Sequence, residues 1–223
     1  MADPRLHSIY FHAGRLFNTK RYANTKVSEI AVASGIATGT VYNLFKNKKA
    51  ILTFVIKASF DKAYLNSDIT LPIQEVKNEE MMALYNSKVK GFLQDIAFDG
   101  QKLNCSFIQL ISATFDMNAD TLLGTGNIET NADELPELAS LFFSLRDRFF
   151  SMVESALRRY MAEGEIRDLE FPRVHVQSIM DILTWWAMNA YIAMPDVSVP
   201  RETARKIAVD LLERAYLTDM YKA

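Results

Sequence analysis

Apolar residues recur every three or four positions along most of this chain, the spacing of helices that bury one face. Leu6, Ile9, Tyr10, Ala13, Leu16 and Phe17 form the first such stripe, which ends at the polar run Asn18-Thr19-Lys20-Arg21. A short second helix is predicted from about Val27 to Ser34, with Ile30 and Ala31 turned inward. Gly35 stops it, because glycine accepts the left-handed backbone that a tight turn requires. A third short helix follows from about Thr38 to Leu44 and buries Val41 and Phe45.

From about Asn47 the helices lengthen. Ile51, Leu52, Val55, Ile56, Ser59 and Phe60 predict a fourth, ending near Asn66-Ser67-Asp68. A fifth is predicted from Pro72 to Phe98, with proline in the first turn, and a sixth from Leu103 to Met117. Residues 118–131 read as a loop from their Gly, Thr and Asn content. A seventh helix covers about Asp133 to Glu163 and stops at Gly164. The eighth (Pro172 to Met194) and ninth (Pro200 to Tyr221) are joined across Pro195–Val199. The expected fold is all-α with about nine helices: a three-helix head over 1–47 and a larger helical domain over 48–223. The fourth helix connects head to body.

The spacing from Val27 to Leu44 meets the needs of a helix-turn-helix. Its first helix needs a small residue where the second crosses it (Ala31). The turn needs a glycine four residues on (Gly35) and an apolar plug next (Ile36), and the second helix must bury a residue six after the glycine (Val41). All four stand in register. Charge points the same way. The chain is −2 overall, but residues 1–50 hold eight Lys/Arg against two acids, a net +6 that leaves −8 for the remainder. A basic head on an acidic body suits contact between the head and a polyanion. A solvated surface of uneven charge gives the same numbers, so the motif decides.

The stretch from Phe17 through Leu52 resembles the tetracycline-repressor-like (TetR) family of bacterial regulators. The resemblance lies in Lys26-Val27-Ser28-Glu29-Ile30-Ala31, in Gly35-Ile36-Ala37-Thr38-Gly39-Thr40-Val41-Tyr42-Asn43-Leu44-Phe45, and in Lys48-Lys49-Ala50-Ile51. It implies DNA-binding roles for Thr25, Thr38, Gly39, Thr40, Tyr42, Asn43 and Lys48, while Lys26 and Lys46, outside the family pattern, could supply phosphate contacts of their own. Thr25 would cap the second helix, whose first N–H groups would meet a phosphate. Thr38, Gly39 and Thr40 would open the recognition helix in the major groove, with Gly39 allowing close approach. Thr40 and Tyr42 would touch phosphates or base edges, and Asn43 could read adenine. Lys48 would pair with a phosphate, so Lys48→Ala should weaken binding to all sequences alike and lower the salt slope by about one unit. Lys26 stands where the family usually has threonine, Ala37 replaces a frequent serine and Leu44 replaces an aromatic, so operator preference cannot be carried over.

The resemblance further implies a homodimer built on the last two helices, presenting two heads to an inverted-repeat operator in double-stranded DNA. Ile179, Trp186, Ile207, Leu211 and Ala215 are the candidate interface residues; burial within one subunit would explain the same pattern. Met and aromatic residues in the middle of the chain suit either an adaptable pocket or an ordinary core. Tyr85, Phe107, Leu110, Met117, Phe149, Trp185 and Met188 are the candidates for a small, largely apolar effector. The expected function is a transcriptional regulator, a repressor released by that effector. The alternative is a DNA binder of the same fold, regulatory or chromosome-organising, controlled by a protein partner or by no ligand.

Enzyme chemistry finds no foothold in the sequence. His7 and His12 are five apart, off the spacing of a helical metal pair, and His175 stands alone. No G-x-S-x-G surrounds a serine, and Gly124-Thr125-Gly126 lacks the third glycine of a dinucleotide loop. No metal or cofactor is expected. Charged residues near the N-terminus speak against a signal peptide, and the apolar run 179–194 is short and interrupted for a membrane span. A cytoplasmic protein with no membrane partner is therefore expected, and the lone Cys105 fits a reducing compartment.

Overall fold

A computed structural model describes residues 3–99, 102–191 and 199–221. Among them are nine α-helices and no strand: α1 (Pro4–Asn24), α2 (Val27–Ala33), α3 (Thr38–Leu44), α4 (Lys48–Phe60), α5 (Asn78–Asp95), α6 (Phe107–Thr130), α7 (Pro136–Ala162), α8 (Pro172–Tyr191) and α9 (Arg201–Tyr216). The all-α expectation holds. The predicted end of the eighth helix at Met194, and Pro195–Ser198 after it, lie outside the described residues.

Two compact units emerge: Met1–Lys88 with Leu123–Phe143, and Val89–Leu122 with Ser144–Ala223. In the first, Asp3 caps α1 by accepting from Arg5 N–H at 3.0 Å, and Pro4 occupies the first turn, where no N–H is needed. The apolar stripe of α1 is buried at Leu6, Ile9, Ala13 and Phe17, and α1 packs on α2 and α4. Asn47 caps α4, accepting from Ala50 N–H at 2.8 Å. Every residue of α4 from Ala50 to Phe60 except Lys57 is buried, so this helix is the core of the unit.

Three predictions need correction. Residues 118–130 are helical, the second half of α6, and not a loop. Two of their Thr and Asn side chains bond to carbonyls one turn back and so do not compete with the helix. Thr121 donates to Met117 C=O at 2.8 Å and Asn127 to Leu123 C=O at 2.6 Å. The fifth helix begins at Asn78, not Pro72. The residues before it run beside the end of α3, where Ile73 N–H donates to Leu44 C=O at 2.8 Å and Lys46 N–H to Ile73 C=O at 3.0 Å. Finally, α9 ends at Tyr216, where the chain turns to pair with residues 165–167. Arg167 N–H donates to Tyr216 C=O at 2.8 Å and Thr218 N–H to Glu165 C=O at 3.1 Å.

The second unit is organised around Phe107, Leu110, Ile111, Phe115, Leu157, Tyr160, Val176, Leu183, Ala208 and Leu212, all buried. Polar ties fix its helices. The buried Glu165 carboxylate accepts Phe107 N–H at 2.6 Å, closing the first turn of α6 from a distant loop. Arg201 donates to Asp120 at 2.7 Å and Arg205 to Asp116 at 3.0 Å, pinning α9 to α6. His175 shares a 2.9 Å hydrogen bond with the Tyr216 hydroxyl, tying α8 to α9. Gly164 ends α7 with φ 72°, as its sequence position predicts.

Gly91, inside α5, has open space where a Cβ would stand. Gly91→Ala should therefore stabilise the protein by about 0.5–1 kcal/mol, the helix penalty of glycine. A urea midpoint at or below that of the parent protein would contradict this.

Candidate nucleic-acid interface

The helix-turn-helix is built as the spacing requires. Gly35 has φ 70°, its N–H donates to Val32 C=O at 3.1 Å, and Ile36 N–H donates to Ala31 C=O at 3.0 Å, closing the turn. Ile30 and Ala31 of α2 and Val41 and Leu44 of α3 are buried, and α2 packs on both α1 and α3. Phe45 is buried with its ring 5.1 Å from that of Phe54 in an edge contact.

Against this core the polar face of α3 stands free. Gly39 and Asn43 are exposed, Tyr42 is 54% exposed, and Thr38 and Thr40 are half-buried. Ala37 precedes α3 as its cap residue without a side-chain bond. Lys26 and Lys46 are exposed at the two ends of the motif, and Lys49 is half-buried on the first turn of α4. The structure thus gathers Thr38, Gly39, Thr40, Tyr42, Asn43 and Lys46 on one seven-residue helix and its end.

Two residues stand differently from their sequence expectation. Thr25 is buried and does not cap α2. Its hydroxyl donates backwards, to Arg21 C=O at 2.8 Å and Leu16 C=O at 3.3 Å. The cap position belongs to Lys26, whose N–H is held at 2.9 Å by Glu29. Lys20 donates to the same carboxylate at 2.7 Å, and these two donors, Lys20 first, keep the Glu29 carboxyl below the usual range. Lys48 is half-buried, and its ammonium donates to Tyr22 C=O at 2.9 Å and Thr25 C=O at 3.1 Å. The ammonium also lies 4.1 Å from the Tyr22 ring centroid. Burial raises the pKa of the Tyr22 phenol, with Glu134 and Glu75 adding to the effect.

Lys48 therefore has a structural task that the sequence did not reveal. Lys48→Ala should cost about 1–2 kcal/mol of stability, because two carbonyls lose a charged donor. A lower urea midpoint together with a lower salt slope would show the residue serving both purposes; an unchanged midpoint would remove the clamp.

The candidate effector residues are distributed over both units. Tyr85 is buried in the first, its ring 5.2 Å from Phe60. In the second, Phe107 and Leu110 are core residues, Met117 and Phe149 pack against that core, Met188 is half-buried and Trp185 is 49% exposed. A concavity of about 260 Å³ in the second unit is lined by Phe98, Lys102, Leu103, Met152, Ser155 and Arg159, none of them in the predicted set. Arg159 is held there by the carbonyls of Leu103 and Cys105. Of the candidate interface residues, Leu211 and Ala215 are exposed, Trp186 and Ile207 half-buried, and Ile179 buried in the core of its own unit. Burial also raises the pKa of the Cys105 thiol, which opposes use as a nucleophile. Among the described residues no group of His, Cys, Asp and Glu could hold a metal ion, and no helix is long and apolar enough to cross a membrane.

Residues 9–53 match the family model described as bacterial regulatory proteins, tetR family. Three solved structures share the fold over nearly the whole chain. A protein from Saccharomonospora viridis, described as a transcriptional regulator and solved in complex with choline, is 13% identical, with 96% of this chain and 97% of that one covered and a TM-score of 0.54. The ketosteroid transcriptional regulator KstR2 of Mycobacterium tuberculosis is 14% identical, with 98% of each chain covered and a TM-score of 0.53. The transcriptional regulatory protein RHA5900 is 16% identical, with 94% of this chain and 97% of that one covered and a TM-score of 0.57. No curated protein matches the sequence.

Proposed function

We propose, from the match of residues 9–53 to the family model of bacterial regulatory proteins, tetR family, that this chain is a sequence-specific DNA-binding regulator of transcription. The observation that carries the reading is the exposed polar face of α3, set on a turn whose every buried position is filled. Residues 1–47 supply the DNA-reading head, with Thr38, Gly39, Thr40, Tyr42 and Asn43 at the major groove and Lys26, Lys46 and Lys48 near phosphates. Residues 48–223 supply dimerisation and effector binding. Trp185, Leu211 and Ala215 on α8 and α9 are exposed, and a second copy is proposed as their cover.

Repression relieved by a small, largely apolar effector is the finer form of the proposal. Such a ligand acts only by binding the DNA-competent and DNA-incompetent conformations with different affinity. The choline complex and the ketosteroid regulator make small molecules a reasonable class to screen.

Selection of bound duplexes from a random library, followed by affinity measurement against salt and sedimentation of the complex, tests the reading. An enriched inverted repeat, a steep salt slope and two protomers per duplex are expected. Binding without enrichment would replace the specific regulator by a general DNA-organising protein, and no binding at all would remove DNA from the function.

A further inference from the structure

The first helix of the head is broken, and a side chain more than a hundred residues away completes its bonding. Arg21 has φ 66° and ψ 157° inside α1. Positive φ with an extended ψ turns the next N–H off the helix axis, away from its carbonyl four residues back. That N–H belongs to Tyr22, and it donates instead to Oδ1 of Asn131. Nδ2 of the same amide donates to Phe17 C=O at 3.3 Å and to Asn127 C=O at 3.0 Å. One buried amide thus bonds the backbone on both sides of the break.

The residues released by the break make the Lys48 contacts. Tyr22 C=O and Thr25 C=O accept from the Lys48 ammonium, and the Tyr22 ring lies beneath it. The next residue is Lys26, the N-cap of α2, which opens the helix-turn-helix. We infer that Asn131 is a positioning residue for DNA binding: by holding the α1 break it fixes segment 21–25, and through it the Lys48 ammonium and the entry of the helix-turn-helix. The inference rests on the proposed DNA-binding function.

Asn127 provides the control. It lies in the same buried seam, donates to Gly14 C=O at 3.0 Å and Leu123 C=O at 2.6 Å, and makes no bond to residues 21–25. Its Oδ1 accepts from Asn131 Nδ2 at 3.3 Å, but the shorter 3.0 Å bond of that Nδ2 goes to the Asn127 backbone carbonyl, which a substitution at Asn127 leaves in place. With the operator selected by the parent protein, Asn131→Ser should lower affinity about tenfold at equal loss of Tm to Asn127→Ser, which should lower it by less than about threefold. In a double-mutant cycle, Asn131→Ser and Lys48→Ala together should bind no worse than the weaker single variant, because both free the same segment. In DNA-free protein, exchange of the Tyr22 amide should quicken in Asn131→Ser alone. If Asn131→Ser does not fold, Asn131→Gln, which displaces the amide by one methylene, carries the same expected loss. Equal affinities for the Asn131 and Asn127 variants, or multiplicative effects with Lys48→Ala, would overturn the inference. A parent protein that selects no duplex would overturn the DNA-binding reading and this role with it, whereas unchanged exchange at Tyr22 would overturn the role of Asn131 alone.

Discussion

Gly39→Gln is expected to leave the protein as stable as the parent while lowering operator affinity about a hundredfold. The reason lies in what surrounds the residue. Gly39 sits in the first turn of α3 and is exposed, and a Cβ built there meets nothing within 4 Å. Its backbone is not in the left-handed region, in contrast to Gly35 with φ 70°. Nothing inside the chain therefore requires glycine, and a helix position ordinarily favours almost any other residue by up to about 1 kcal/mol. On the proposed reading, by contrast, the start of α3 would lie against base edges and phosphates in the DNA-bound state, where a long side chain would have no room. Thermal melting and fluorescence anisotropy on the selected operator separate the two effects. Gly39→Ala should be at least as stable as the parent and intermediate in affinity. Parental affinity in Gly39→Gln would move α3 away from the duplex.

The head was legible because its geometry is local. The turn of a helix-turn-helix fixes which positions must be small, left-handed or apolar within about twenty residues, and Ala31, Gly35, Ile36 and Val41 satisfy those demands in sequence order. Tyr42 and Phe45 could be sorted for the same reason: helical spacing sends one outward and the other inward, and the structure agrees. The Lys48 clamp was not legible, because its acceptors at Tyr22 and Thr25 are more than twenty residues away and are backbone atoms, which leave no trace in side-chain identity. Thr25 was misread for a related reason. A threonine before a helix is a good cap in isolation, but the left-handed Arg21 brings its own carbonyl within reach of the Thr25 hydroxyl.

Residues 118–131 show the limit most clearly. Gly, Thr and Asn favour loops when their partners are unknown, because their side chains or backbones gain more outside a helix than within one. Here the partners exist but lie far off in sequence. Asn127 reaches Gly14, Thr130 donates to Asn18 at 2.9 Å, and Asn131 reaches Phe17 and Tyr22. The composition that signalled a loop is what lets two helices approach and hydrogen-bond across a buried seam.

Gly124→Val is accordingly expected to be the most destabilising of these changes, at about 3 kcal/mol. A Cβ at Gly124 would stand 2.9 Å from both Cβ and Oγ of Ser59 and 3.0 Å from Cε1 of Phe60, residues buried on α4. The Gly124 N–H also donates to Ser59 Oγ at 2.9 Å, so Ser59 cannot swing aside without breaking that bond. Overpacking of a filled core costs about 1–3 kcal/mol and at times more, and valine adds two methyl groups beyond the first clash. Removing glycine from a helix interior returns up to about 1 kcal/mol, which is smaller than the clash and leaves the sign unchanged. Gly91→Ala isolates that compensating gain, since its Cβ would stand in open space. For a protein of this length about 3 kcal/mol corresponds to a fall in Tm of roughly 6–12 °C. Circular dichroism at 222 nm follows the whole helical content. Parental stability in Gly124→Val would mean that α6 does not lie against α4 at this point, and the loop assignment for 118–131 would have to be restored.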